Sequence, residues 1–176
     1  MIFFETRLKG AFIIEPERLE DERGFFARTF CQQEFSAHCL DATFVQCNIS
    51  FNKNKGTLRG MHYQVKPYEE TKLVRCTRGA IYDVIIDLRP ESPTFKHYFA
   101  VELTAENRKM LYIPEGFAHG FQTLEDNTEV FYQMSRMHVP ESARGIRWDD
   151  PAFNIQWPPY RRLISKRDQV YPDFTL

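Results

Sequence analysis

Alternation is the dominant pattern along this chain. Across residues 43–50 (TFVQCNIS), Val45, Cys47 and Ile49 fall on one side and Gln46, Asn48 and Ser50 on the other. That period of two is the signature of a strand. Residues 71–76, 80–88, 98–103, 110–113 and 128–134 read as further strands, broken by turn signals such as Arg78-Gly79 and Glu115-Gly116. Many short strands at this spacing predict an antiparallel sandwich or barrel. Helical patterns are few: a short one near residues 31–39, and a turn at 165–169 with Ser165 placed to cap it. So few and such short helices argue against a doubly wound α/β fold. No repeat, low-complexity tract or linker interrupts the chain, which predicts one domain over residues 1–176.

Composition sharpens this picture. Hydrophobic residues make up 43% of the 176 positions and charged residues 27%, ordinary values for a globular domain. With 23 Lys and Arg against 24 Asp and Glu, the net charge is −1. That excludes a nucleic-acid binder acting through bulk positive charge, and the hydrophobic content excludes disorder. A chain of this length buries roughly 70% of its unfolded surface, so its core requires no metal or disulfide staple. Cys31, Cys39, Cys47 and Cys76 form no CxxC pair and read as free, buried thiols in a reducing compartment. The first residues form no long apolar stretch, and nowhere do eighteen apolar residues run together. A cytoplasmic protein that does not span a membrane is expected.

Candidate chemistry gathers around two of the five histidines. His62 lies in Leu58-Arg59-Gly60-Met61-His62-Tyr63-Gln64, and His119 closes Pro114-Glu115-Gly116-Phe117-Ala118-His119. The second stretch resembles the PxGxxH element of the cupin double-stranded β-helix. Metal-binding cupins carry HxH in the first element; here the sequence reads His62-Tyr63-Gln64, so a ligand is missing. Two histidines alone do not make a stable metal site, and no metal is expected. Lys72 shares a strand side with Val74 and Cys76, and Tyr132 shares one with Val130 and Met134. Both should point inward, where an unpaired lysine or phenol is rare without a role. A base, a phenol and an ammonium in one barrel suit proton abstraction beside a carbonyl, with the cation at the enolate oxygen. His62 titrates in the right range to be the base. A carboxylate should hold it in one tautomer, and alternation alone does not name that carboxylate.

With these residues in place, the chain resembles the dTDP-4-dehydrorhamnose 3,5-epimerase family of cupin-fold enzymes. The resemblance runs through Asp21-Glu22-Arg23-Gly24-Phe25-Phe26, Gln46-Cys47-Asn48-Ile49-Ser50, the His62 segment, Lys72-Leu73-Val74-Arg75 and residues 82–89. It continues through residues 91–95, residues 113–121, Tyr132, residues 147–151 and Ser165-Lys166-Arg167-Asp168. It implies a mainly β, cupin-type jelly-roll barrel with a few short helices. It implies that His62 is the general base, Asp168 its orienting carboxylate, Lys72 the cation at the enolate and Tyr132 the opposing acid. Arg23, Arg59 and His119 match positions that hold the diphosphate and sugar; Phe26, Gln46 and Asn48 match pocket-lining positions. The family resemblance further implies a homodimer with an N-terminal strand exchanged and part of the pocket supplied by the partner, a nucleotide-diphosphate sugar substrate, and neither metal nor nicotinamide cofactor.

Four positions depart from the rhamnose-enzyme pattern. Arg28 stands where a Glu is usual, His138 where an aromatic is, Ala143 where a Glu is, and Arg167 where a Lys is. They are expected around the nucleotide end, with His138 and Arg167 still in contact with substrate. They leave the reaction type intact and leave open the nucleotide (dTDP, GDP or CDP), the sugar, and whether one or both of C3 and C5 are inverted. Two other classes compete: a metal-dependent cupin such as a dioxygenase, which the missing HxH argues against, and a non-catalytic binding cupin, which would not need a base and an acid together.

Overall fold

A computed structural model describes residues 1–175. The strands are β1 (Ile2–Glu5), β2 (Phe12–Glu15), β3 (Arg18–Asp21), β4 (Gly24–Ala27), β5 (Gln46–Asn52), β6 (Thr57–Gln64), β7 (Lys72–Arg78), β8 (Ala80–Asp87), β9 (Tyr98–Thr104), β10 (Met110–Ile113), β11 (Phe117–Thr123), β12 (Thr128–Met134), β13 (Ala143–Gly145) and β14 (Leu163–Ile164). Two short α-helices, α1 (Gln32–Ala37) and α2 (Lys166–Gln169), and a single 3-10 turn at Pro140–Ser142 complete the set among the described residues. One sheet runs β1-β2-β10-β7-β12-β5; the other runs β13-β6-β11-β8-β9, with β14 beside β6. Apart from the β14–β6 contact, every pairing is antiparallel. The expected mainly β barrel is therefore present, with its helices as short as predicted.

Apolar residues of the two sheets interdigitate between them: Val74, Leu111, Ile113 and Val130 against Ile81, Ile85, Leu103, Phe117 and Phe121. The outer face of the second sheet is covered by the C-terminal segment, where Phe153 and Trp157 pack on Leu58, Val84 and Ile86. Phe35 of α1 and Leu40 seal Ile14, Leu73 and Met110 on the first sheet. This double covering explains why β11 is buried at every position and why β6 and β11 show no simple alternation in the sequence. Alternation in the sequence marks neither as a strand, nor β1 to β4; the family resemblance alone implies a strand at the N-terminus. The strand expected at 43–50 begins and ends later, at Gln46–Asn52. Of the four free cysteines only Cys76 is buried, with its thiol pushed up to about 11 by burial; Cys39 and Cys47 are exposed.

The hairpin of β3 and β4 stands apart as its own two-stranded sheet, with Leu19 and Phe26 68% and 69% exposed. In and just before the edge strand β5, Val45, Cys47 and Ile49 are exposed, while Gln46, Asn48 and Ser50 are half-buried and line the cavity, which Ile49 and Phe51 also touch. The usual order is reversed because the interior at this end is a polar cavity.

Candidate active site

The cavity measures about 660 Å³ and opens between the two sheets near β5, β6, β7, β11 and β12. Its lining includes Gln46, Asn48, Arg59, His62, Glu70, Lys72, His119, Tyr132, His138, Ala143, Arg144 and Arg167. Most of the predicted site thus converges on one space.

A backbone irregularity on β6 makes this possible. Arg59 and His62 are three positions apart, so regular alternation would send them to opposite faces. The register between β6 and β11 slips between His119 and Phe121, and both side chains reach the cavity. Gly60 sits in the slip with φ +120°, and a Cβ there would come within 2.5 Å of the Gly120 Cα. Only glycine accepts both that conformation and that approach.

His62 donates from Nε2 to Asp168 Oδ1 at 2.8 Å. Asp168 is brought there by α2. Ser165 caps that helix, its Oγ accepting from the Asp168 N–H, as expected for the residue before the turn. Burial alone would raise the Asp168 carboxyl. Its hydrogen bonds with His62, the Gly60 N–H and Ser165 outweigh that and hold it below the usual range. Asp168 lies behind His62 rather than in the main cavity, which is where an orienting carboxylate belongs.

His119 faces His62 in register across β11 and β6. Its Nε2 is 2.7 Å from Oδ1 of Asp83, a fully buried carboxylate. Asp83 was not foreseen, although it alternates with Ile81 and Ile85, a legible signal of a carboxylate pointing inward. Arg59 Nε donates to Asn52 Oδ1 at 2.7 Å, fixing the guanidinium through a buried amide that also went unforeseen. Lys72 is 8% exposed, as its strand side predicted, and its Nζ lies 2.7 Å from Glu70 Oε1. Burial pushes the Tyr132 phenol up; nearby Arg59 opposes this and Glu70 adds to it. The phenol therefore holds its proton at neutral pH.

Two predicted residues do not join this cavity. Arg23 and Phe26 sit on the exposed β3–β4 hairpin, where Arg23 pairs with Asp21 at 2.6 Å. The hairpin packs instead beside the segment between β9 and β10, where the Arg108 guanidinium lies 4.7 Å over the Phe25 ring, and neither Arg23 nor Phe26 lines the cavity. Of the four departures, Arg28 is also elsewhere, paired with Glu34 at 2.7 Å. His138, Ala143 and Arg167 line the cavity; Arg167 Nε donates to the Tyr171 hydroxyl at 2.6 Å. Arg144, not singled out from sequence, joins them and adds to the positive lining.

A jelly-roll barrel with a carboxylate-backed imidazole, a protonated phenol and a buried ammonium around one cavity is built for acid–base chemistry on an enolisable substrate. A family model described as dTDP-4-dehydrorhamnose 3,5-epimerase matches residues 5–175, and the chain belongs to that family of isomerases. It is 45% identical over 175 residues to the dTDP-4-dehydrorhamnose 3,5-epimerase of Salmonella typhimurium, covering 98% of this chain and 94% of that one. The crystal structure of the Bacillus anthracis enzyme with TDP and PPi bound superposes with a TM-score of 0.94 at 38% identity, covering 98% of this chain and 99% of that one. A 3'-monoepimerase from Streptomyces bikiniensis, solved with dTDP-quinovose, gives 0.88 at 32% identity, covering 96% and 85%.

Proposed function

We propose that this chain epimerises a dTDP-linked 4-keto-6-deoxyglucose at C3 and C5, giving the dTDP-4-dehydrorhamnose configuration. The observation that carries this reading is the His62–Asp168 pair at 2.8 Å, beside a cavity that Lys72 and Tyr132 also line. The C4 ketone acidifies the hydrogens on C3 and C5. His62 takes one of them, and its electron pair moves into the C–C bond to C4 as the carbonyl becomes an enolate. Lys72 donates to that oxygen and balances its charge. Tyr132 returns a proton to the opposite face, which inverts the centre; solvent then restores both residues. Asp168 keeps His62 in one tautomer and stabilises its charged form. Arg59, Arg144 and Arg167 supply the charge-assisted donors a diphosphate requires. No cofactor enters this scheme.

The whole chain serves as one domain in this reading, and the working unit is a homodimer. Arg23 and Phe26, stranded on their hairpin, contact substrate in a second copy's cavity. The exposed apolar side of β5, with Val45 47%, Ile49 63% and Phe51 44% exposed, supports such a face. No helix among the described residues is long and apolar enough to cross a membrane, in keeping with a cytoplasmic enzyme acting on a charged nucleotide sugar.

The test is incubation with dTDP-4-keto-6-deoxyglucose in D₂O, followed by NMR. Label at C3 and C5 together with the rhamno product is expected. Label and inversion at one centre alone would favour a monoepimerase, the second reading, which the likeness to the Streptomyces bikiniensis enzyme keeps in view. Turnover only with GDP- or CDP-linked sugars would overturn the nucleotide assignment.

A further inference from the structure

Glu70 belongs to the cavity lining and has one carboxylate oxygen without a partner. Its residue exposure is 7%, and its Oε1 meets Lys72 Nζ at 2.7 Å. Its Oε2 is buried and has no hydrogen-bond partner among the described residues. Buried polar atoms are almost always paired, so an orphan in a cavity wall marks a place where a ligand completes the bonding. A carboxylate only accepts and an ammonium only donates. The phosphates and the C4 ketone offer acceptors alone, so they do not satisfy Oε2. The donors available on the sugar ring are its hydroxyls.

Glu70 and Lys72 are held side by side, an acceptor next to a donor. Their complement is an acceptor next to a donor on adjacent atoms. In a 4-keto-6-deoxy sugar, C5 carries a methyl group and C3 carries a hydroxyl, so only the C3 side of the ketone offers that pattern. We propose that Lys72 and Glu70 together read the α-hydroxy ketone, Lys72 donating to the C4 oxygen and Glu70 Oε2 accepting from the C3 hydroxyl. This rests on the proposed reading of the cavity and adds a substrate-contacting residue that sets specificity. The pair fixes which ring neighbour of the ketone lies beside the ammonium, and it selects for sugars with a free 3-hydroxyl.

The experiment compares dTDP-4-keto-6-deoxyglucose with its 3-deoxy analogue, in the wild type and in Glu70→Gln, reading deuterium exchange at C5. C5 is remote from the altered group, so loss of the hydroxyl does not remove the reacting hydrogen. Loss of a hydrogen bond to a charged group should lower the wild type's kcat/KM on the analogue by about 10–100-fold. Glu70→Gln should lose a similar factor on the 3-hydroxy substrate and far less on the analogue, so the preference collapses. If Glu70 is only a counter-ion for buried Lys72, the variant slows both substrates alike, and the proposal is overturned. A wild type that handles both substrates equally overturns it without any variant. A wild type that exchanges label into neither overturns the reading of the cavity itself, and this proposal with it.

Discussion

His62 and His119 stand opposite each other on β6 and β11, and each offers its Nε2 to a carboxylate, Asp168 and Asp83. The two pairs differ in access. The side chain of His62 is 42% exposed and that of His119 is 11% exposed. A base must exchange its proton with solvent between turnovers, which favours His62 for that role. His119, tucked against a fully buried Asp83, is better held for binding. His62→Ala and Asp168→Asn should therefore both fold and both lose on the order of 10²–10⁴-fold in kcat. Circular dichroism together with the NMR assay checks this; near-normal rates in either would remove the pair from the mechanism.

Tyr132→Phe should separate deprotonation from inversion. His62, Asp168 and Lys72 remain, so the enolate still forms and the proton returns to the face it left. Deuterium should wash into the sugar while little epimer accumulates. The ring keeps its packing against the core between the sheets, so the barrel should survive. Because burial raises the phenol above its ordinary value near 10, its protonated, donating form persists through neutral pH. Any alkaline loss of rate traceable to Tyr132 should thus begin only above about pH 10 and vanish in the variant. Exchange and epimerisation falling together would instead mark Tyr132 as packing.

Lys72→Met should lose roughly 10²–10³-fold in kcat, the range for deleting an oxyanion donor. The change also leaves Glu70 as an unpaired buried carboxylate, so some loss of stability should accompany it. Steady-state kinetics distinguish the roles: a raised KM with kcat intact would make Lys72 a uniform binding group.

Much of this was legible in the chain because the chemistry sits on simple strands. Lys72 and Tyr132 were placed inward by period two alone, on β7 and β12, and both proved to line the cavity. Ser165 announced its own turn. Where both faces of a strand are covered, that signal disappears: β6 and β11 carry His62, Arg59 and His119, yet their burial and the slip at Gly60 leave no alternation to read. Glu70 and Asp83 were missed for another reason. The alternation of Asp83 with Ile81 and Ile85 marks it as inward-facing, but its partner His119 lies on another strand; Glu70 precedes β7, so no alternation places it, although Lys72 follows only two residues on. Arg23 and Phe26 show the remaining limit: both match pocket positions of the family, yet the structure places them on an exposed hairpin outside the cavity lining.

Asp87 offers a test of stability independent of the chemistry. It ends β8, is fully buried, and accepts hydrogen bonds from Arg89, Ser92 and Thr94, including 2.7 Å from Thr94 Oγ1 and 2.7 Å from the Arg89 guanidinium. Burial alone would raise its carboxyl, but these bonds together hold it below the usual range. Such a depressed group stabilises the fold above its unfolded value of about 3.9, and that contribution is lost as pH falls through the folded value. Asp87→Ala removes a buried carboxylate and the hydrogen bonds it accepts from Ser92, Thr94 and the partly exposed Arg89, a loss of about 1.5–3 kcal/mol. For a chain of this size that corresponds to a fall in Tm of roughly 3–12 °C. The gap between wild type and variant should be full at pH 6–7 and should narrow below pH 4, as the wild type loses the same contribution by protonation. Asp87 pairs with Phe117, two residues before His119, and is not among the residues lining the cavity, so activity at low temperature should persist. Thermal melts across pH 3–7 decide the matter: a gap that stays constant as the pH falls would mean that the carboxylate's charge is not what Arg89, Ser92 and Thr94 are holding.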